Sequence, residues 1–257
     1  MPSIVSVRFY AELNDFVASA KRYCDIECAV APGQTVKDLI EAQGVPHTEV
    51  DLIVVGGESV TFEHRVVDGD HVSVYPVFES FDVAPVTKLR TQPLRLTRFL
   101  ADGNVNQLAR YLRLCGFDTT CLGAVDDAEL VNVASREARL LLTRDVGVLK
   151  RSAVTHGYFV RSTDPKEQLV EVMSRFHLCG DARPFTRCMN CNGELAVVDK
   201  KEVLEGLQPD TRTHYEEFMR CPVCSRVYWK GSHYDKLVAL VDDALRESEV
   251  AREVNGP

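Results

Sequence analysis

The sequence predicts an α/β protein of several units, and three observations carry that expectation. Strand-like and helix-like segments alternate from residue 95 to about 180, which argues for a parallel sheet wrapped by helices. A β-rich ββαββ order fills the first eighty residues. Two C-x2-C pairs sit in the second half of the chain. The predicted boundaries are a β-rich domain at 1–82, a linker at 83–94, a parallel-sheet domain at 95–180, a cysteine-bearing domain at 181–241 and a polar tail at 242–257.

Within the first unit, residues 4–9 alternate as a strand, and 23–30 supply its hairpin partner. Thr35 caps a helix over 36–43 that ends at Gly44. Strands follow at 52–55 and 72–76, with turns at Gly56-Gly57 and Asp68-Gly69-Asp70. That order suggests a β-grasp domain, and "APGQTVKDLI" and "VDGDHVSVYP" resemble the ubiquitin-like sulfur carriers. Those carriers end in a diglycine, whereas the Gly-Gly here is internal and the unit runs on through Phe78 to Asp82. A protein-contact or substrate-guiding module is therefore expected, not a sulfur carrier.

Pro85 and Pro93 mark the linker. Residues 98–101 form a short apolar strand. The helix over 104–115 sets Leu108, Tyr111, Leu112 and Cys115 on one face, with Arg110 and Arg113 turned away, and Gly116 stops it. A strand at 119–122, a helix over 127–138 and strands at 140–143 and 158–161 come next. Pro165 opens a helix through 176 as a first-turn proline. The stretch from about Glu247 reads as polar and frayed.

Cys188 and Cys191 are separated by two residues, as are Cys221 and Cys224, with 29 residues between the pairs. A two-residue gap lets both thiolates of a knuckle meet one tetrahedral ion, and two knuckles fill four positions, so a structural zinc is expected. Two unrelated redox pairs are the competing explanation. Nine cysteines without an export signal favour metal over a disulfide framework, and the expected location is the cytoplasm. No tract is long and apolar enough to span a bilayer, so no membrane partner is expected.

Net charge is −8, unevenly spread. Residues 1–90 hold 7 Lys+Arg against 14 Asp+Glu, while 91–185 hold 13 against 11. The middle segment therefore permits a phosphate-bearing ligand. Ligands of open parallel sheets gather at the carboxyl ends of the strands. Asp102, Asp145 and Asp164 each fall just after a predicted strand, and Asp127 opens a helix that could face the same crevice; Asp126 is its equal on chemistry alone. Carboxylates crowded in one crevice call for a cation, and oxygen-only ligands favour Mg²⁺ or Mn²⁺. The plainer explanation is that aspartates at these positions only cap helices.

From Leu96 to about Lys236 the chain resembles the Mut-seven C-terminal ribonuclease domain family, PIN-like nucleases with a zinc ribbon. The resemblance rests on "RFLADGNVNQLARYLRLCGFDT", "DDAELVNVASREARLLLTRDVGVLK", "VRSTDPKEQLVEVMSRF", "RCMNCNGEL" and "RCPVCSRVYWKGSHYDKL". It implies a PIN-like domain followed by a zinc ribbon, a ubiquitin-like unit at the N-terminus, and Asp102, Asp127, Asp145 and Asp164 as the acidic quartet. It also implies RNA over DNA as substrate; structured RNA such as tRNA is an expectation from the protein's being a small housekeeping enzyme, not from the resemblance. Asn106-Gln107 stand where the family has Gly-Lys, which motivates an alternative: a catalytically weak or silent RNA-binding protein. Arg144, Lys150, Arg151, Arg110 and Arg113 are the candidate phosphate contacts. Trp229 and Lys230 are candidates for base stacking and backbone contact, with Trp229 as a cover for the zinc core the competing role. The β-grasp unit is expected to meet a protein partner or to limit which RNAs enter.

Overall fold

The structure, a computed structural model, describes residues 3–76, 87–89 and 98–254. Apart from 87–89, the expected linker lies outside the described residues.

In the first unit the strands are β1 (Ser3–Phe9) and β2 (Ile26–Val30), then helix α1 (Val36–Ala42), then β3 (Val50–Val55), β4 (Glu58–Ser59) and β5 (His71–Pro76). They form one sheet in the order β2-β1-β5-β3-β4, with the central pair β1–β5 parallel and the other pairs antiparallel. Thr35 and Asp38 cap α1 reciprocally, each side chain accepting from the other's backbone N–H. Gly44 closes the helix at φ +105°, where a Cβ would lie 2.6 Å from the Phe16 carbonyl oxygen; glycine is required on both counts. Leu39 and Ile40 of α1 pack on Val5, Val7, Ile53 and Val74, giving this unit its own core.

The second unit alternates β6 (Arg98–Ala101), α2 (Asn106–Leu114), β7 (Asp118–Cys121), α3 (Asp127–Arg136), β8 (Leu140–Thr143), α4 (Val146–Leu149), β9 (Gly157–Phe159) and α5 (Pro165–Arg175). Its four strands are all parallel, in the order β7-β6-β8-β9. Side chains alternate across the sheet: Phe99, Leu140 and Leu142 meet α2 and α5, while Leu100 and Leu141 meet α3 and α4. Burial on both faces is why β8 reads as an unbroken apolar run. The chain order reverses between β6 and β8, and in open parallel sheets such a reversal is where a ligand crevice forms, outside the carboxyl ends of the two strands.

Between and after the cysteine pairs come β10 (Ala196–Val198), α6 (Lys200–Val203), α7 (Pro209–His214), β11 (Phe218–Arg220), β12 (Val227–Trp229) and α8 (Tyr234–Val254). The strands make a three-stranded antiparallel sheet in sequence order. The expected polar tail is a correction: α8 is helical through Val254 and packs along α5. Val241, Ala244 and Ser248 recur every three or four residues and are buried, so charged residues around a narrow buried stripe had the look of a tail.

Both edges of the parallel sheet are covered by side chains from its neighbours. At β7, the Thr119 N–H donates to Asn192 Oδ1 at 2.9 Å. At β9, the Phe159 N–H donates to Glu49 Oε1 at 2.6 Å. The unpaired amides that make an edge strand adhesive are occupied in this way. Around Glu49, His47 Nε2 lies 2.9 Å from the Val154 carbonyl oxygen and Lys150 Nζ donates to the Glu41 carbonyl at 2.8 Å. Phe16 meets Phe159 edge to face at 5.3 Å. The β-grasp unit is therefore docked against the β9 edge.

Candidate metal centre and aspartate crevice

The two cysteine knuckles are built alike. The Asn192 N–H donates to the Cys188 carbonyl and the Ser225 N–H to the Cys221 carbonyl, each at 2.9 Å. Asn192 (φ 72°) and Ser225 (φ 60°) take the left-handed conformation that turns each chain back. Gly193 lets the knuckles meet, since a Cβ there would stand 2.9 Å from Cys221 Sγ. All four sulfurs lie within 4.8 Å of one another, with Cys188–Cys224 at 3.5 Å and Cys191–Cys221 at 3.4 Å. Zinc–sulfur bonds of about 2.3 Å place tetrahedral sulfurs about 3.8 Å apart, so this donor set fits zinc.

The electrostatics point the same way. Burial opposes ionisation of Cys188, but the Tyr228 hydroxyl at 3.0 Å and the amides of Cys191 and Asn190 pull its thiol down to about 6. Burial, together with the neighbouring thiols, pushes Cys191 up to about 12. Four thiolates this close ionise together only around a cation.

Arg113 is the largest departure from the sequence reading. It is 4% exposed, not on an open face. Its Nε donates to the Thr119 carbonyl at 2.7 Å, and its Nη1 to the Met189 and Asn190 carbonyls, each at 3.1 Å. It ties α2 and β7 to the first knuckle and is withdrawn as a nucleic-acid contact. Arg113→Met should lower unfolding free energy by about 3 kcal/mol in urea denaturation, because three carbonyls lose their donor in a closed space.

Asp118 joins the same seam. Burial opposes its charge, but Arg139 at 2.7 Å and Asn192 at 2.7 Å outweigh burial and hold its pKa below the ordinary value. A depressed folded pKa means the contribution is present above the ordinary aspartate value of about 3.9 and lost as pH falls through the folded one. Wild type should therefore exceed Asp118→Asn in stability at pH 7, and the gap in urea midpoints should shrink below about pH 4.

The predicted aspartates all stand at the carboxyl side of the sheet. Asp102 follows β6, and its Oδ2 accepts from Thr143 Oγ1 at 2.6 Å and Asn104 Nδ2 at 2.7 Å. Asp145 follows β8 and caps α4, its Oδ1 accepting from the amides of Gly147 and Val148. Thr143 Oγ1 also receives the Asp145 N–H at 3.0 Å, so one buried hydroxyl bridges both acids. Asn104 adds a second brace, its Oδ1 taking the Arg144 N–H at 3.3 Å. Asp102 Oδ1 and Asp145 Oδ2 accept no hydrogen bond among the described residues. Sequence reasoning missed Thr143 and Asn104, although a threonine ending an apolar strand beside an aspartate was a usable signal.

The outer two acids are placed differently. Asp164 caps α5 through the amides of Lys166 and Glu167. Asp127 lies inside the first turn of α3 and pairs with Arg151 at 2.9 Å, while Asp126 is the cap. Among the described residues, no three of the four aspartates bring carboxylate oxygens within 4.8 Å of one another. Such an arrangement suits an ion held directly by one or two carboxylates that keeps part of its water.

The remaining expected phosphate contacts are mostly engaged. Lys150 bonds the β-grasp unit, and Arg151 pairs with Asp127. Arg144 Nη1 donates to the carbonyls of Val160 (2.9 Å), Arg161 (2.5 Å) and Ser162. Lys230 pairs with Glu217 at 2.8 Å. Arg110 is exposed and makes no hydrogen bond or ion pair among the described residues. Trp229 is 39% exposed and lies over Gly231, beside Phe218. It lines an apolar cavity of about 730 Å³ with Leu114, Phe185, Met189 and Leu237.

These features define a class: a β-grasp unit docked on a doubly wound parallel sheet, with acids at the switch point and a four-cysteine cluster beside the opposite edge. The chain belongs to the Mut7-C RNAse domain family, whose profile matches residues 97–241, and residues 2–82 match the Mut7-C ubiquitin profile. Among solved structures, the chain is similar to a protein described as molybdopterin converting factor, subunit 1, from Pyrococcus furiosus. That likeness has 23% identity and a TM-score of 0.24, covering 30% of this chain and 99% of that one. Two structures of small archaeal modifier protein 1 from Haloferax volcanii are similar at 15% and 16% identity, each with a TM-score of 0.25. They cover 30% and 31% of this chain and 99% and 100% of theirs. No curated protein matches the chain. No helix among the described residues is long and apolar enough to cross a membrane.

Proposed function

We propose that this protein is a metal-dependent ribonuclease, with a PIN-like domain at its centre and a zinc ribbon bracing it. The carrying observation is the pair Asp102 and Asp145, which follow the adjacent strands β6 and β8 and share the Thr143 hydroxyl, through the Asp102 carboxylate and the Asp145 N–H, in a chain of an RNase-domain family. Their unengaged oxygens face the role of ligands to Mg²⁺ or Mn²⁺, with Asp164 and Asp127 acting through water or on the substrate side. A divalent ion bound there supplies positive charge to phosphate oxygens and acidity to water. Thr143 and Asn104 hold the Asp102 carboxylate and the Gly147 and Val148 amides hold that of Asp145, each at fixed orientation, so little rearrangement accompanies the reaction. Arg110, one turn beyond Gln107 on α2, supplies the exposed cation that the Asn106-Gln107 pair lacks.

Zinc is assigned to Cys188, Cys191, Cys221 and Cys224, which hold the three-stranded sheet and, through Arg113 and Asn192, fasten it to α2 and β7. Trp229 and Lys230 are the ribbon's contribution to RNA contact. The test is cleavage of total and structured RNA, tRNA included, with Mn²⁺ or Mg²⁺. Wild type is compared with Asp102→Asn and Asp145→Asn. Metal-dependent cleavage lost in both variants supports the reading; equal activity in all three removes it. Salt-sensitive RNA binding without cleavage by any form would favour the silent RNA-binding alternative.

A further inference from the structure

The β-grasp unit grips the strand whose end leads into the aspartate crevice. Glu49 is 2% exposed and projects from this unit into the seam. One of its oxygens accepts the Phe159 N–H at 2.6 Å, and the other meets Arg161 Nη2 at 3.5 Å. The Arg161 side chain is anchored chiefly by the same unit, while its Nη1 donates to the Phe159 carbonyl at 3.2 Å. Its Nε pairs with Asp15 at 3.3 Å, and its guanidinium stacks over Phe16 at 5.5 Å, with Tyr158 on its own side at 5.3 Å.

The backbone of this arginine serves the other unit. Its N–H and that of Ser162 donate to the two oxygens of Glu171, at 2.8 and 3.0 Å. The carbonyls of residues 160–162 receive Arg144, whose own N–H is held by Asn104 and whose next neighbour is Asp145. Two residues past Ser162 stands Asp164, its N–H bonded to Ser162 Oγ at 3.1 Å. A continuous run of bonded groups thus leads from Glu49 to both sides of the crevice.

We infer that the β-grasp unit positions the crevice: Glu49, through Phe159 and Arg161, fixes the 160–164 segment against which Arg144 and Asp145 are braced. This inference rests on the crevice being the reaction site. Glu49 and Arg161 are positioning residues and touch no substrate. The unit is then a fixed part of the catalytic framework, which accounts for a β-grasp domain without a terminal diglycine.

The experiment compares full-length wild type, Glu49→Ala and Glu49→Gln by amide hydrogen exchange. Mn²⁺ affinity, followed by the paramagnetic signal of the free ion, and the split between kcat and KM are read in parallel. Glu49→Ala should raise exchange across 160–164 and 143–147 while the β-grasp core around Ile53 and Val74 keeps its protection. Mn²⁺ affinity and kcat should each fall about tenfold, the cost typical of losing support behind a metal ligand, with KM nearly unchanged. Glu49→Gln retains an acceptor for the Phe159 N–H and should recover most of the loss. Exchange that rises only at 47–49 and 157–159, or Mn²⁺ affinity and kcat equal to wild type, overturns the inference. Wild type that neither binds Mn²⁺ nor cleaves RNA would count against the crevice as reaction site, and the exchange result would then decide the positioning role alone.

Discussion

Asp145→Asn is expected to reduce metal-dependent RNA cleavage by at least about a hundredfold, with Asp102→Asn close behind, while both variants fold as wild type. Outer residues that merely orient metal ligands cost 10- to 100-fold when removed, so a ligand itself should cost no less. Folding should be spared because an asparagine oxygen still accepts the amides of Gly147 and Val148 that Asp145 caps. Asp127→Asn should have a far smaller effect. Its charge already answers Arg151 across an exposed pair, and such pairs contribute little. Initial rates at saturating Mn²⁺, with circular dichroism as the check on folding, separate the three variants. A similar loss in all of them would mean that these three acids act as one set.

Removing zinc should have the largest effect on stability. Chelation at neutral pH is expected to release one zinc per chain and to unfold the three-stranded sheet, whose own core is small: Val203, Leu207 and Phe218 are its buried apolar residues. Structural zinc in peptides of this kind contributes about 10–16 kcal/mol of apparent binding energy, which small metal-held units cannot replace by packing. The damage should spread, since Arg113 loses the Met189 and Asn190 carbonyls and the Thr119 amide loses Asn192. Cys188→Ser and Cys221→Ser should behave like the chelated protein. Metal content by atomic absorption, read beside the melting curve, checks this. A full zinc complement in either variant, or an unchanged melt after chelation, would sink the assignment.

Much of the architecture is legible in the sequence. The cap at Thr35, the glycine stop at Gly44 and the proline start at Pro165 are local signals, and each marks an element end where expected. The cysteine spacing brought together four sulfurs, because a two-residue gap already fixes the geometry of each knuckle. Aspartates following apolar runs landed at strand ends, since runs of four residues match the length of a buried strand and are too short for an ordinary helix. The tail failed as an expectation because α8 buries a stripe too narrow to stand out among its charges.

What sequence alone determined, then, was the kind and order of elements, the knuckles, and which residues stand at strand ends. Only the tertiary structure decided that Arg113 faces inward, that Thr143 bridges Asp102 and Asp145, and that Glu49 covers the β9 edge. The physical reason is one of range. Periodicity tells from which face of a helix or strand a side chain leaves, but not what another unit lays against that face. Glu49 and Phe159 are 110 residues apart, and Arg113 reaches carbonyls 76 and 77 residues away, so neither contact leaves a local trace.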